Sequence, residues 1–228
     1  MSNPDIGMFV LNMIALIFSL SLHEFGHAWT SNYYGDDTAR LLGRVSISPV
    51  THVDPIGTLL FPAIAFFANV PLLGWARPVP VNPVRWRGSM RVANFWVSSA
   101  GVILNLAIAI VAGVLIRVLI GMEIVGTNGT RLFPGENASD VGLGLAQLLA
   151  ILFQLNIGLF IFNLLPVPPL DGGRILSSIL PDSFAPTLDM LAQYGIFILY
   201  AALLTGVIGK VFGFVLPLAF KILFFGAY

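Results

Sequence analysis

The residues best suited to chemistry in this sequence stand together near its start, in the segment His23-Glu24-Phe25-Gly26-His27. Residues four apart lie on one face of a helix, so His23 and His27 can both point at one metal ion. Glu24 stands beside them, where its carboxylate can take a proton from a water held by that metal. The spacing therefore predicts a metal site that activates water.

A catalytic zinc ion needs three protein ligands and one open position for water. The chain has no cysteine, which leaves Asp, Glu or the remaining histidine, His52, to supply the third ligand. The best candidate is Asp171 in NLLPVPPLDGGRI, because prolines and two glycines interrupt an apolar stretch there and can aim the carboxylate. The alternative for Asp171 is a plain N-cap of the following helix. The motif around His23 is itself typical of zinc metalloproteases.

Composition indicates that these residues lie in a membrane. Hydrophobic residues make up 57% of the 228 residues and charged residues only 10%, whereas a soluble domain carries about 25% charge. Ionisable groups in an apolar helix are costly and are functional by default, which argues against a chance motif. The net charge of zero gives no indication of nucleic-acid binding. The start of the chain lacks the basic region of a secretory signal.

Spanning helices need roughly 20 mostly apolar residues. Long apolar stretches cover 6–34, 92–120, 141–165 and 186–227, and the last is long enough to be divided near 206–209. We predict an all-α polytopic membrane protein with about five transmembrane helices and short β-like loop segments, the clearest around 44–48. It should form one metalloprotease domain over 1–228, with a catalytic core at about 6–180 and a C-terminal helical pair at about 186–227.

The apolar segment 56–74 can be read either as a short span or as a re-entrant hairpin. Arginines precede it at 40 and 44 and follow it at 77, 85, 87 and 91. A hairpin keeps all of them on the cytoplasmic side, as the positive-inside rule favours. The N-terminus is then outside, and Asp171 arrives on the same side as His23 and His27, toward the cytoplasm. A span would separate Asp171 from the histidines, so the zinc ligands favour the hairpin too.

HEFGH in a membrane helix, followed much later by NLLPVPPLDGG, resembles the site-2 protease family of intramembrane zinc metalloproteases, in a compact form without a PDZ or CBS domain. The resemblance covers roughly residues 10–180 and implies one Zn²⁺ per chain. It implies that His23, His27 and Asp171 are zinc ligands and that Glu24 is the catalytic base. The expected partners are transmembrane protein substrates and the lipid bilayer of a prokaryotic plasma membrane.

Two asparagines are further candidates. The stretch SAGVILNL resembles the family's Ala-Gly-Pro-x-x-Asn element, with Val102 where proline is usual, and Asn105 stands at its polar position. A carboxamide there can donate to the oxyanion of a tetrahedral intermediate, or it can make a hydrogen bond between helices. Asn163 has the same ambiguity, with a role in holding the substrate strand or the Asp171 loop as its functional reading.

Several alternatives stay open at this stage. His52 is expected to make structural hydrogen bonds in a loop, and the loop 75–83 is either an interfacial connection or an edge for an extended substrate. For the whole chain, the alternatives are a membrane metal transporter and a catalytically inactive zinc-binding scaffold. A transporter would carry ionisable groups at several depths, and an inactive scaffold would tolerate loss of Glu24. The sequence does not identify the substrate or the oligomeric state.

Overall fold

The computed structural model describes residues 5–68, 74–129 and 131–225, and helices account for most of its regular structure. The α-helices in chain order are α1 (Ile6–Tyr33), α2 (Thr38–Leu41), α3 (Phe61–Phe67), α4 (Met90–Gly121), α5 (Asp140–Leu164), α6 (Asp171–Ile179), α7 (Ala185–Leu204) and α8 (Val207–Leu223). Two short antiparallel strands, β1 (Val125–Thr127) and β2 (Leu132–Pro134), lie in the loop between α4 and α5.

Four helical stretches among the described residues are long and apolar enough to cross a membrane: α1, α4, α5 and the stretch Asp182–Leu204 that ends with α7. The prediction of an all-α polytopic membrane protein is therefore confirmed. The last apolar segment is divided where predicted, because Gly206, with φ of 74°, separates α7 from α8. At 17 residues, α8 is shorter than the roughly 20 that a span needs.

Helix α4 is the centre of the bundle and packs against α1, α5 and α6. Small residues let the helices approach closely: a side chain at Gly26 of α1 would lie 3.1 Å from the backbone of Ala100 in α4. Further along α4, apolar residues such as Ile116 pack with Phe153 of α5 and Phe224 after α8. Between membrane helices, this close packing supplies much of the association free energy. It makes α4 a rigid support for whatever α1 and α6 carry.

The two ends of the apolar segment 56–74 lie next to each other. A π-helix (Pro55–Leu60) runs into α3. At the other end of the segment, the Trp75 amide donates to the carbonyl oxygen of Gly57 at 3.1 Å, and Thr58 Oγ1 donates to the Trp75 carbonyl at 2.7 Å. The two ends therefore meet, which is the geometry of a hairpin. Residues 69–73 lie outside the described residues.

The prediction of a β-like segment around 44–48 is wrong, because these residues form no strand and consist of a bend and irregular backbone. The carbonyl oxygen of Ser46, which would pair with a neighbouring strand, contacts a side chain instead: His52 Nε2 lies 2.7 Å from it. Arg44 itself reaches away to another loop. The strands of the described residues lie instead in the loop between α4 and α5.

Candidate metal centre and active site

His23 and His27 lie one turn apart on the face of α1 that packs against α4. Their Nε2 atoms are 3.0 Å apart, and the two rings meet edge to face. The apolar sequence of α1 favours a continuous helix, and the four-residue spacing then places both imidazoles on the same face, one turn apart. His23 is buried and His27 is half-buried. The motif thus forms one half of a compact ligand set.

Asp171, far from the histidines in sequence, completes this set. It is the first residue of α6, and its Oδ2 lies 3.2 Å from His23 Nε2 and 3.3 Å from His27 Nε2. Leu170 occupies the N-cap position and makes no side-chain cap, so Asp171 does not cap the helix. Gly172 allows α6 to start tightly against the end of α5, because a side chain there would collide with the carbonyls of Leu164 and Leu165.

The three side chains fit a zinc ion. Their ligand atoms all lie within 4.8 Å of one another, and no other such cluster of three occurs in the described part of the chain. Asp171 Oδ2 is buried and receives no hydrogen bond of good geometry, a costly arrangement for a carboxylate unless a cation is present. Two imidazoles and a carboxylate are the donor set of catalytic zinc sites that keep a fourth position open.

Helix α4 orients the imidazole of His27. His27 Nδ1 lies 2.7 Å from the carbonyl oxygen of Val97, which fixes the proton on Nδ1 and leaves the Nε2 lone pair free for a metal. One turn further along α4, Gly101 faces the ligands. A Cβ on Gly101 would lie 2.5 Å from His27 Nε2 and 2.6 Å from His23 Cε1. Neither Val97 nor Gly101 was predicted, and only the resemblance of SAGVILNL to a family element drew attention to this turn.

Helix α4 also holds the helix that carries Asp171. The Asn94 side-chain amide donates to Ser178 Oγ at 2.8 Å and to the Arg174 carbonyl at 3.2 Å. Asn94 was not a sequence candidate, since an asparagine near the start of an apolar helix carries no signal of its own. Its bonds to α6, which include a third to Ser177 Oγ at 3.4 Å, connect the Asp171 helix to the same element that orients His27.

Glu24 is half-buried beside the ligands and is not one of them. Its Oε2 accepts a hydrogen bond of 2.9 Å from the backbone amide of Val79. Val79 belongs to the proline-rich segment 75–82, which has no regular secondary structure and reaches the site at this residue. The catalytic carboxylate expected from the sequence is thus free of the metal ligands and is held from outside α1.

The two asparagines singled out in the sequence, Asn105 and Asn163, have different surroundings. Asn105 is fully buried, and neither atom of its carboxamide has a hydrogen-bond partner within the described residues. Asn163 is half-buried and donates to the carbonyl of Leu159 in its own helix at 3.1 Å. A hydrogen bond between helices, one of the two readings of Asn105, is instead seen at Asn156, whose Nδ2 donates to Ser19 Oγ at 2.7 Å.

His52 does not approach the ligand cluster. It is buried, its Nε2 lies 2.7 Å from the Ser46 carbonyl, and its own carbonyl accepts the Arg77 amide at 2.8 Å. Burial lowers the pKa of the His52 imidazole below its usual value. These contacts agree with the structural role expected for His52 in its loop.

Apolar helices long enough to span a membrane, with a buried His-His-Asp cluster and an adjacent carboxylate, define an integral membrane protein with a metallohydrolase site. Comparison with known families identifies it further. The model of peptidase family M50 matches residues 11–207. The chain belongs to this family, the site-2 protease type of membrane zinc metalloprotease, as the two motifs predicted. Its metal is accordingly Zn²⁺.

The relatives include bacterial proteins of the same class. The chain is 38% identical to "Putative zinc metalloprotease YwhC" of Bacillus subtilis over 201 residues, covering 87% of this chain and 81% of the relative. It is 27% identical to "Putative zinc metalloprotease Rip2" of Mycolicibacterium smegmatis over 207 residues, covering 91% and 71%. No solved structure was found to match the chain.

Proposed function

We propose that this chain is an intramembrane zinc endopeptidase that hydrolyses peptide bonds in or near the transmembrane segments of other membrane proteins, in regulated intramembrane proteolysis. The observation that carries the proposal is the distance of 3.2 Å between His23 Nε2 and Asp171 Oδ2, with Glu24 next to the first ligand. One site thereby combines metal ligands and a general base within an apolar bundle.

The chain's own residues divide the work. His23, His27 and Asp171 would hold Zn²⁺, which when bound lowers the pKa of water to about 7 and polarises the scissile carbonyl. Glu24 accepts the proton from the attacking water and passes it to the leaving amine. The Val97 carbonyl keeps the His27 proton on Nδ1 through these steps.

Two carboxamides are proposed to assist. Asn105 has unpartnered donors in a fully buried position, one turn along α4 from Gly101, which faces the ligands. A donor fixed in a dry site stabilises an oxyanion strongly, since it needs no reorganisation when charge develops. Asn163 already bonds its own helix through Nδ2, and we propose that its carboxamide oxygen supports the substrate backbone. Both roles depend on substrate entering next to α4.

Orientation and domain organisation follow the same proposal. We propose an outside N-terminus and a site toward the cytoplasm of a prokaryotic plasma membrane, because both arginine groups flank a segment whose ends meet. We further propose one metalloprotease domain over 1–228. The transporter alternative is disfavoured because the described residues hold one three-ligand cluster and no second one along a path.

The substitution that tests this function is Glu24→Gln, since glutamine keeps the shape of the side chain and removes its basicity. The purified variant should bind zinc like the wild type and should lose at least about a thousandfold of its cleavage rate, as expected when a general base is removed. The assay is cleavage of a detergent-solubilised model substrate with one transmembrane helix weakened by glycines. Undiminished cleavage by the variant would exclude the mechanism. Loss of zinc from the variant would instead contradict the statement that Glu24 is not a metal ligand.

An inactive scaffold would behave differently. It would bind zinc in the wild type and cleave no member of a substrate series. An active protease should favour substrates whose helix unwinds easily, because a helical peptide bond is shielded by its own turns. A series that replaces the substrate's glycines by leucines measures this preference, and rates indifferent to helix stability would argue against extended binding of the substrate.

A further inference from the structure

The proline-rich segment 75–82 makes a hydrogen bond to Glu24, the proposed general base, from one backbone amide. Val79 N donates to Glu24 Oε2 at 2.9 Å. Positions 78 and 80 are prolines without amide protons, so Val79 offers the one backbone donor between Arg77 and Val81. Prolines also fix φ near −65° and limit the conformations of the segment. The sequence of this segment therefore presents one donor, at one place, to the Glu24 carboxylate.

Hydrogen bonds on both sides of Val79 hold the segment in position. Toward its start, the Arg77 amide donates to the carbonyl of His52 at 2.8 Å. Toward its end, the Asn82 amide donates to Asp36 Oδ2 at 2.7 Å. Neither bond fixes the carbonyls of Arg77 and Pro78. The Pro78 carbonyl shares its peptide plane with the Val79 N–H, so its orientation decides where that N–H points.

Arg44 fixes these carbonyls. Its Nη2 donates to the Arg77 carbonyl at 2.7 Å and to the Pro78 carbonyl at 3.3 Å, and the Pro78 carbonyl belongs to the same peptide plane as the Val79 amide. Arg44 is only 9% exposed and makes no ion pair within 4 Å among the described residues. A buried arginine without an ion pair is costly, so its position calls for a reason other than surface solvation. The nearby charge of Arg77 adds to that cost, and the attraction of Glu24 offsets only part of it.

We infer that Arg44 is a positioning residue for catalysis: it holds the Pro78–Val79 peptide plane so that the Val79 amide orients the Glu24 carboxylate toward the metal site. This goes beyond the proposed function in its residues and rests on it only for the role of Glu24. A hydrogen bond to one carboxylate oxygen restrains the rotation of the group and leaves the other oxygen, Oε1, available to a water. Without Arg44, the peptide plane can turn and Glu24 loses its fixed direction.

Amide hydrogen exchange of the full-length, zinc-loaded protein tests the geometric step without any substrate. The Val79 amide should exchange slowly in the wild type. In Arg44→Met it should exchange roughly tenfold to hundredfold faster, the factor that loss of a hydrogen bond to a charged group implies. Arg44→Lys should restore part of the protection, because an ammonium can also donate to both carbonyls. Arg40→Met is the matched control, since Arg40 contacts Asp37 at the surface and should leave the Val79 amide unchanged.

A double-mutant cycle tests the catalytic step on the model transmembrane substrate. Val79→Pro removes the backbone N–H that donates to Glu24, and Val81→Pro, which also adds a proline to this segment, is its control. Both Val79→Pro and Arg44→Met should lower kcat about tenfold with full zinc content, and the double variant should lose little more than either one. Non-additivity of this kind marks residues that act through one interaction.

The two arms separate this inference from the proposed function. Unchanged exchange of the Val79 amide in Arg44→Met would overturn the inference, whatever the cleavage rates. Fully additive losses of kcat would overturn it as well, since Arg44 would then act by another route. A wild type that cleaves no transmembrane substrate would contradict the proposed function, while the exchange measurement would still decide whether Arg44 orients Val79.

Discussion

The side-chain amide of Asn94 in α4 lies 2.8 Å from Ser178 Oγ in α6, and this contact links two helices that are far apart in the sequence. Helix α6 begins with Asp171, and α4 also supplies the carbonyl that orients His27. The position of the carboxylate relative to the imidazoles therefore depends on α4, although α4 supplies none of the three clustered side chains.

Asn94→Ala should accordingly weaken zinc binding without removing a ligand. The variant loses its bonds to Ser178 and to the Arg174 carbonyl, so α6 is free to shift and Asp171 with it. We expect a decrease in zinc affinity of about 10–100-fold, the usual effect of losing an outer-shell contact. Competition with a chelator of known affinity measures it. Asn12→Ala is the control, because Asn12 donates to Met8 within its own helix, and equal affinities in both variants would contradict the role of Asn94.

Gly101→Ala should abolish zinc binding. Its Cβ would lie 2.5 Å from His27 Nε2 and 2.6 Å from His23 Cε1, where it displaces the ligand atoms themselves. Zinc per chain, measured by atomic absorption on the folded protein, should fall to near zero, and cleavage should be lost with it.

The matched control for this prediction is Gly158→Ala in α5. A Cβ on Gly158 meets nothing within 4 Å, and alanine favours a helix over glycine by about 1 kcal/mol. This variant should therefore keep its zinc and be as stable as the wild type or more so. A Gly101→Ala protein with full zinc content would show that α1 and α4 can separate by the width of a methyl group.

The sequence predicted that His23, His27 and Asp171 would lie together because metal-site chemistry has strict spacing rules. His23 and His27 are identified by helical periodicity, and Asp171 by the interruption of an apolar stretch and the need for a third ligand. The broad architecture was predictable too, since apolar length alone identifies spans. The division between α7 and α8 at Gly206 follows from the same pattern.

The supporting residues were beyond such reasoning. Val97 acts through a backbone carbonyl that every residue has, and Gly101 acts by lacking a side chain, so residue type indicates neither role. Asn156 and Asn105 both lie in apolar helices, yet only Asn156 bonds to another helix, whereas the carboxamide of Asn105, for which such a bond was one of two readings, has no partner among the described residues. The segment at 44–48 alternates like a strand, but Arg44 binds a carbonyl of another loop and the carbonyl of Ser46 is taken by His52. Each of these depends on which helices meet, which a single sequence does not state.

Removal of zinc should destabilise the protein. A metal that binds only the folded state stabilises it by about 4 kcal/mol when its concentration exceeds Kd a thousandfold. A strong chelator should therefore lower Tm of the wild type and of Glu24→Gln equally, because Glu24 is not among the clustered ligands. It should change Tm of Asp171→Ala little. Thermal scanning in detergent measures all three, and a chelator effect that survives in Asp171→Ala would point to a different third ligand.

Asp36 should make stability depend on pH. Its buried carboxylate accepts bonds from Thr38 Oγ1 at 2.5 Å, from the Asn82 amide at 2.7 Å, from the Thr38 amide at 3.1 Å and from Ser31 Oγ at 2.9 Å. Burial alone would raise the pKa of Asp36, but these hydrogen bonds together hold it below the usual value. The unfolded chain then binds the proton at higher pH than the folded one, so the carboxylate adds stability above about pH 4 that is lost as pH falls.

Asp36→Asn should remove this dependence. At pH 7 the variant should be less stable by about 1–3 kcal/mol, because an amide replaces a charged acceptor of several bonds. The difference from wild type should shrink as pH falls below about 4, because the unfolded chain takes up its proton there and the folded carboxyl takes it up only at still lower pH. Thermal unfolding across this range measures the effect, with Asp189→Asn, an exposed position in α7, as the control. A difference that stays constant with pH would mean that Asp36 stabilises the fold by its shape alone, and its link to Asn82 would then not depend on charge.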